Sequence, residues 1–281
     1  MTSPSKNTDP ATVEGFGREW SAFTQSEANL SAQDRRAMFD GYFSIFPWDA
    51  LPPNSTGADI GCGSGRWALL VAPRVGHLHA LDVAASALAI ARGNLAGLPN
   101  VSFHQASVSA MPFADGALDF AYSLGVLHHV PDTARALRDI AAKLKSGAPF
   151  LVYLYYAFDN RSAFYRWLWK MSNAGRLILS RAPYPVQIAA TTVIAYLVYW
   201  PIARLAALLD KIGRLPTNWP LTYYRHRAFY VMRTDAFDRF CTRLEQRFTR
   251  AQIEAMLQAA GFGQVRFSEN DPYWVALAIK N

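Results

Sequence analysis

Cysteine is nearly absent from this 281-residue chain, which holds only Cys62 and Cys241. Two thiols cannot build a disulfide framework or a four-ligand zinc site, and such sparse usage suits a reducing compartment, the cytoplasm. Glycine (17) and proline (16) are not enriched, and 51% of the residues are hydrophobic, so composition excludes a disordered or collagen-like chain. Residues 1–11 carry no apolar stretch, which argues against a secretory signal and leads one to expect a frayed tail. There is no internal repeat. Nor is there a carboxylate or cysteine cluster at metal-ligand spacing, so no metal is expected.

Charge is distributed unevenly. Residues 1–160 carry 11 Lys or Arg against 14 Asp or Glu, whereas residues 161–281 carry 17 against 7, within a net charge of +7. A basic C-terminal half suits an anionic partner such as nucleic acid, an anionic membrane surface or an acidic substrate, or else a solvated face with none.

From Gly57 onward, short apolar runs alternate with helical patterns. The predicted strands are 57–60, 77–82, 101–105, 118–123 and 149–155, with helices beginning near Arg66, Ala85 and Asp132. In the last helix, Ala134, Leu137, Ile140, Ala141 and Leu144 keep 3.6-residue spacing behind Asp132 or Thr133 as cap. The alternation stops near Phe158 and resumes at Thr249, where Thr249 and Gln252 form a capping-box pattern. Ile253, Met256, Leu257 and Ala260 then mark one helix face, and two further strands follow at 264–268 and 273–279. Strands alternating with helices of this length imply crossover units and a parallel sheet.

The chemistry concentrates where the first strand turns into the first helix, at Gly61, Cys62, Gly63, Ser64 and Gly65. Glycines there let a ligand lie almost on the main chain at the carboxyl edge of the sheet. Asp82 ends the second strand, where a carboxylate can accept hydrogen bonds from both hydroxyls of a ribose. The loop spacing is G-x-G-x-G, not the dinucleotide fingerprint G-x-G-x-x-G. Asp59, two residues before the first glycine, disfavours a pyrophosphate and suits an ammonium group. A cofactor combining adenosine with an amino-acid end satisfies both acids.

These features resemble the class I S-adenosylmethionine-dependent methyltransferases, in particular their small-molecule, type 11-like domain. Residues 59–65 resemble the family's cofactor loop, and Leu81, Asp82 and Val83 its ribose-binding strand end. Ala110–Asp119 and Gly125–Asp132 resemble the stretch around the fourth strand, and Leu144–Ala148 the turn into the fifth. The resemblance covers residues 57 to about 155 and again 249–281, about half of the chain. It implies a Rossmann-like α/β fold: a seven-stranded, mostly parallel sheet with helices on both faces, an N-terminal tail and lid segment (1–45) and a methyltransferase domain (46–281). A basic, apolar helical insertion interrupts that domain at about 159–248. The implied cofactor is S-adenosylmethionine, held by Asp59, Gly61, Cys62, Gly63, Gly65, Asp82, Val83, Ser107, Val108 and Ser123. Many relatives carry an acid after the third strand, where this chain has Ala106, Ser107 and Val108, so only a hydroxyl is offered to the adenine. Phe16 and Trp20, one helical turn apart, resemble the lid that excludes water from a reactive sulfonium.

Three histidines are candidate general bases: His128, His129 and His226, against a plain pocket-wall role. Residues 182–203 pass without a charge. Their prolines and polar residues, and the geometry of a single crossing inside one domain, argue against a membrane span. A helix lying in the membrane interface, a hydrophobic cap over a lipid-like acceptor, and a buried or dimer-forming helix are the expectations left open. The expected acceptor is a small molecule, anionic or lipid-like: a glycan precursor, a lipid-linked intermediate or a secondary metabolite. The expected setting is the cytoplasm, with peripheral contact at the inner membrane surface or a homodimer. Nucleic acid is not an expected partner, because no RNA-binding module is appended and the fourth-strand end lacks the signature of amino-methylating enzymes. The rivals are a nucleic-acid methyltransferase and a catalytically silent cofactor-binding partner.

Overall fold

The computed structural model describes residues 7–23, 31–160, 162–216, 219–270 and 272–281. Among them the elements run α1 (Pro10–Ala22), α2 (Ala32–Tyr42), β1 (Thr56–Ile60), α3 (Ala68–Val71), β2 (His77–Asp82), α4 (Ala85–Asn94), β3 (Val101–Gln105) and β4 (Phe120–Leu124). Then come α5 (Thr133–Lys143), β5 (Pro149–Tyr153), α6 (Ala163–Leu179), α7 (Tyr184–Ile194), α8 (Trp200–Lys211), α9 (Phe229–Cys241), α10 (Arg250–Ala259), β6 (Phe262–Phe267) and β7 (Val275–Lys280). The chain divides into two units: one built on the described residues of 1–25, 35–159 and 244–281, the other on those of 26–34 and 160–243.

The first unit holds the sheet, ordered β3-β2-β1-β4-β5-β7-β6. Strands β1 to β5 are mutually parallel, and β7 runs antiparallel between β5 and β6. This is the Rossmann-like, mostly parallel seven-stranded sheet that the resemblance implies. All five residues of β4 are buried, as expected of a strand covered on both faces. Leu137, Ile140 and Ala141 of α5 and Ile253 and Leu257 of α10 pack with Phe150, Val152 and Phe262 in one core. Full burial of each such leucine or isoleucine contributes roughly 1.5–3 kcal/mol.

Local chemistry sets the boundaries. Asp132 caps α5 by accepting the Arg135 N–H at 2.8 Å. Thr249 and Gln252 cap α10 reciprocally, at 3.2 and 2.9 Å. The helix predicted near Arg66 is a single turn, α3. It tightens into a 3₁₀ turn at Ala72–Arg74, where Pro73 supplies no N–H to continue it. The fourth strand begins at Phe120 rather than 118, because Asp119 turns its carboxylate back to the Thr56 N–H (2.8 Å) and to Lys145 (2.6 Å). The tail is not frayed throughout. Asn7 is buried, donates to the Asp132 carbonyl and accepts the Asp132 N–H, both at 2.8 Å, while Asp9 caps α1. Residues 1–6 lie outside the described residues.

The second unit has a core of its own. Ala195, Tyr199 and Ala203 pack with Met232 and Ala236 of α9. α7 and α8 form one helix, Tyr184–Lys211, joined by a π turn at Ala195–Tyr199. Its buried stripe is Gln187, Thr191, Ala195, Tyr199, Ala203 and Ala206. In an α-helix, residues four apart drift about 40° per step around the axis. The wider π turn offsets that drift and keeps the stripe on one face. The polar members are satisfied internally: Gln187 donates to the Ser180 carbonyl (3.2 Å), and Thr191 to the Gln187 carbonyl (2.7 Å).

Candidate functional site

The sheet order reverses at β1, whose neighbours are β2 and β4, and the crevice at the carboxyl ends of these strands is the natural ligand site of such a sheet. The turn out of β1 is pinned from below: the Gly61 and Cys62 N–H groups both donate to the Leu81 carbonyl, at 2.8 and 3.0 Å. Gly61 (φ 81°) and Gly63 (φ 54°) adopt left-handed backbone, which a side chain disfavours. A Cβ would also stand 2.5 Å from Val126 at Gly61 and 2.7 Å from the Trp20 ring at Gly63.

Two carboxylates flank this loop and have different environments. Asp82 accepts the Gly63 and Ala84 N–H groups, one on each oxygen, both at 2.9 Å. It stays partly exposed, and burial raises its carboxyl despite those backbone donors. Asp59 is 1% exposed, and its Oδ2 has no hydrogen-bond partner among the described residues. Burial pushes its carboxyl up to about 8, against the pull of the nearby Tyr122 hydroxyl, while the Asp82 charge adds to the rise. A buried carboxylate oxygen left without a partner is costly and suits a site that receives a cation. Cys62 is buried between them, and that burial pushes its thiol well up, so it serves as wall rather than nucleophile.

α1 lies over this loop. Trp20 stands against Gly63, and Phe16, one turn earlier, meets the His129 ring edge-on with centroids 4.9 Å apart. The two predicted lid residues therefore bridge the glycine loop and the histidine pair. Ala106 donates to the Asp82 carbonyl at 3.1 Å, which brings buried Ser107 and Val108 to the same edge, beside Val83. Ser123 differs from the expectation: it is fully buried and its hydroxyl donates to the Ile60 carbonyl at 2.8 Å, so it ties β4 to β1.

His128 and His129 follow β4, buried and with ring centroids 4.0 Å apart. His129 Nδ1 lies 2.7 Å from the Leu244 carbonyl, which can only accept, so Nδ1 carries the proton and Nε2 the lone pair. His128 Nδ1 accepts the Tyr155 N–H at 3.3 Å, leaving its proton on Nε2. Burial holds His128 well below the usual histidine range, and it is neutral. His226 belongs to the second unit, exposed and 3.3 Å from Asp210. Among the described residues no three His, Cys, Asp or Glu side chains converge as metal ligands.

Sequence reading missed three contributors. Tyr122 is fully buried beside Asp59, Tyr155 stacks on His128 at 3.8 Å, and residues 244–246 clasp the histidine turn. In that clasp the Gln246 N–H donates to the His128 carbonyl at 3.0 Å and its side chain to the Val130 carbonyl at 2.7 Å. The β-branched and aromatic run of 149–155 could have flagged Tyr155; nothing local flags the clasp.

A left-handed glycine loop, an acid anchored to it through backbone N–H groups and a buried second acid meet at the switch point of this α/β sheet. Residues 58–152 match the family described as Methyltransferase domain. Over 104 residues the chain is 32% identical to the uncharacterized methyltransferase YcgJ of Bacillus subtilis, covering 36% of this chain and 41% of that protein. Over 128 residues it is 30% identical to the 2-phytyl-1,4-naphtoquinone methyltransferase of Nostoc sp., covering 43% and 56%. The match thus spans about half the length, or less, of these curated relatives. A SAM-dependent methyltransferase structure from Thermotoga maritima shares the fold, with TM-score 0.50, 14% identity and coverage of 96% of this chain and all of that one. The matched residues 58–152 carry the glycine loop and both acids, and the chain is similar over that stretch to S-adenosylmethionine-dependent methyltransferases.

Proposed function

We propose that the protein transfers a methyl group from S-adenosylmethionine to a small-molecule acceptor. The observation that carries this reading is the unpartnered, buried Oδ2 of Asp59, set beside a left-handed glycine loop that Asp82 ties in place. The residues fit the cofactor. Asp82 has lone pairs left for two ribose hydroxyls after its backbone bonds, Asp59 meets the ammonium, and Ser107 and Val108 flank the adenine. When bound, the cofactor supplies an electrophilic methyl on a sulfonium.

The protein's own part is binding, orientation and proton handling. Ionised Asp59 pairs with the ammonium and so fixes the amino-acid end. Phe16 and Trp20 exclude water from the sulfonium, which protects it from hydrolysis. Where the acceptor atom carries a proton, His129 Nε2 takes it as the methyl arrives, while the Leu244 carbonyl holds the imidazole in the tautomer with that lone pair. A small-molecule acceptor is supported by the relative named for 2-phytyl-1,4-naphtoquinone, whose phytyl chain makes it lipid-like. The test is transfer of labelled methyl from S-adenosylmethionine to a panel of quinols, phenols and amines, read as a product one CH₂ heavier. Tight cofactor binding with transfer to none of them favours the silent partner, and transfer only to nucleic acid favours the other rival.

A further inference from the structure

We infer that the second unit docks on an anionic lipid bilayer, with α6 and the long helix α7–α8 lying in the plane of its interface. This inference stands apart from methyl transfer and rests on the surface of one unit. Every exposed large hydrophobic side chain among the described residues falls between Trp167 and Ile212. On α6, Trp167, Met171, Ala174 and Ile178 sit at i, i+4, i+7 and i+11, a single outward stripe, with Ile178 78% exposed. On the long helix, Tyr196, Leu197 and Leu208 stand 61%, 66% and 57% exposed. The helix reaches a mean hydropathy of 1.6 over 18 residues, and only 17% of that window is buried.

Charge selects the occupant. Between Asp159 and Asp210 the sequence contains no Asp or Glu, but six basic residues: Arg161, Arg166, Lys170, Arg176, Arg181 and Arg204. Three of these donate to backbone carbonyls: Arg181, still exposed, to Leu177 at 2.6 Å, and two that are drawn inward. Arg176 is buried and donates to the Thr242 carbonyl at 2.8 Å, and Arg204 donates to the Arg225 and Arg227 carbonyls at 3.1 and 2.9 Å. Arg166 and Lys170 remain exposed one turn apart, flanking the α6 stripe, and Arg181, Lys211 and Arg214 are exposed at the helix ends. Asp210, the acid that closes the stretch, is paired with Arg225 at 3.0 Å. An apolar stripe with a basic, acid-free margin complements a negative lipid surface, where long cationic side chains reach up to the headgroups. A second copy of the same surface would set like charges against each other.

The helix is long enough to cross a bilayer, but its inner face is taken. It packs against α9, which carries Arg233, Asp235, Asp238 and Arg239, and a span would drag these into hydrocarbon. An orientation in the interface plane keeps α9 in water.

The test uses the full chain and vesicles of phosphatidylcholine with or without phosphatidylglycerol. A thiol-reactive, environment-sensitive dye is placed at Leu197→Cys, the native Cys62 and Cys241 being buried. The expected result is co-flotation and a blue shift of the dye with anionic vesicles, reversed by high salt. Arg166→Gln and Lys170→Gln should each weaken partition about fivefold, equivalent to about 1 kcal/mol. Ile178→Ser should weaken it roughly tenfold or more, with the melting temperature unchanged. Where a substitution upsets folding, the salt and lipid dependence of the dye-labelled protein decides alone. No shift with anionic vesicles overturns the inference. So does a concentration-dependent shift without lipid, which names a second copy as the occupant, and so does resistance to alkaline carbonate extraction, which names a span.

Discussion

Titrating Asp59 perturbs the cofactor site at the point where its energy is most exposed. Its carboxyl stands at about 8 in the unliganded protein because burial disfavours the charge. An ammonium needs the ionised form, so binding below pH 8 must first expel a proton. At pH 7 only about one molecule in ten carries the charge, and each unit further down costs another tenfold, about 1.4 kcal/mol. Affinity for S-adenosylmethionine should therefore rise roughly fiftyfold from pH 6 to pH 8 and by only about twofold more above that. Calorimetry at pH 7, repeated in buffers of different ionisation enthalpy, should register close to one proton released per cofactor bound. Asp59→Asn should abolish both the slope and the proton release, and weaken binding at pH 8 by about 1.5–3 kcal/mol, the loss of a charge-assisted contact. The same substitution should stabilise the unliganded protein at alkaline pH. A group whose folded pKa is raised gives stability at low pH that is lost as pH rises from about 3.8 toward 8. An affinity flat between pH 6 and 8, or an Asp59→Asn variant that keeps the slope, refutes the assignment.

Asp82→Ala should weaken cofactor binding by about 1.5–3 kcal/mol and also loosen the loop, since it frees the Gly63 and Ala84 N–H groups; equilibrium dialysis with hydrogen exchange at Gly63 checks both. Phe16→Ala and Trp20→Ala should lower kcat several-fold with little change in melting temperature. Deleting residues 1–24 would remove the Asn7 and Thr12 ties as well, and so could not separate lid from fold. His129→Gln should lower kcat by about 10²–10⁴ for a hydroxyl acceptor and remove the acidic limb of the pH–rate profile, with cofactor affinity unchanged. Burial holds His79 at about 4 and lowers His104 and His128. Their stability contribution is present above about 6.5 and lost as pH falls toward 4. Urea unfolding at pH 5 and 7 in the Asp59→Asn background, free of that acid's opposite slope, should show the loss.

The sheet was largely legible in the sequence because its strands are short apolar runs between helical periods. The β2 and β3 boundaries and the Thr249 capping box emerge as read, and of the two caps offered for α5 the structure takes Asp132. The glycine loop with Asp59 and Asp82 was legible because spacing alone brings them to one edge. What stayed hidden depends on pairs far apart in the chain. Asn7 meets Asp132 across 125 residues, and His129 meets Leu244 across 115. No local period encodes either bond. Ser123 read as a ligand contact because its place at the strand end is right, yet a hydroxyl beside a neighbouring strand's carbonyl is spent there. Arg176 and Arg204 counted as surface charge for the same reason: composition records a guanidinium but not the backbone carbonyls it caps. The π turn was beyond reach, since Ala195–Tyr199 has the same apolar composition as the helices on either side.

The central claim is that this loop and its two acids hold S-adenosylmethionine and not a dinucleotide. Parallel calorimetric titrations of S-adenosylmethionine and NADH into the wild-type protein at pH 8, where about half of Asp59 is ionised, test it most directly. The account predicts one saturable site for S-adenosylmethionine and no heat of binding for NADH. Saturable NADH binding without S-adenosylmethionine binding would contradict it.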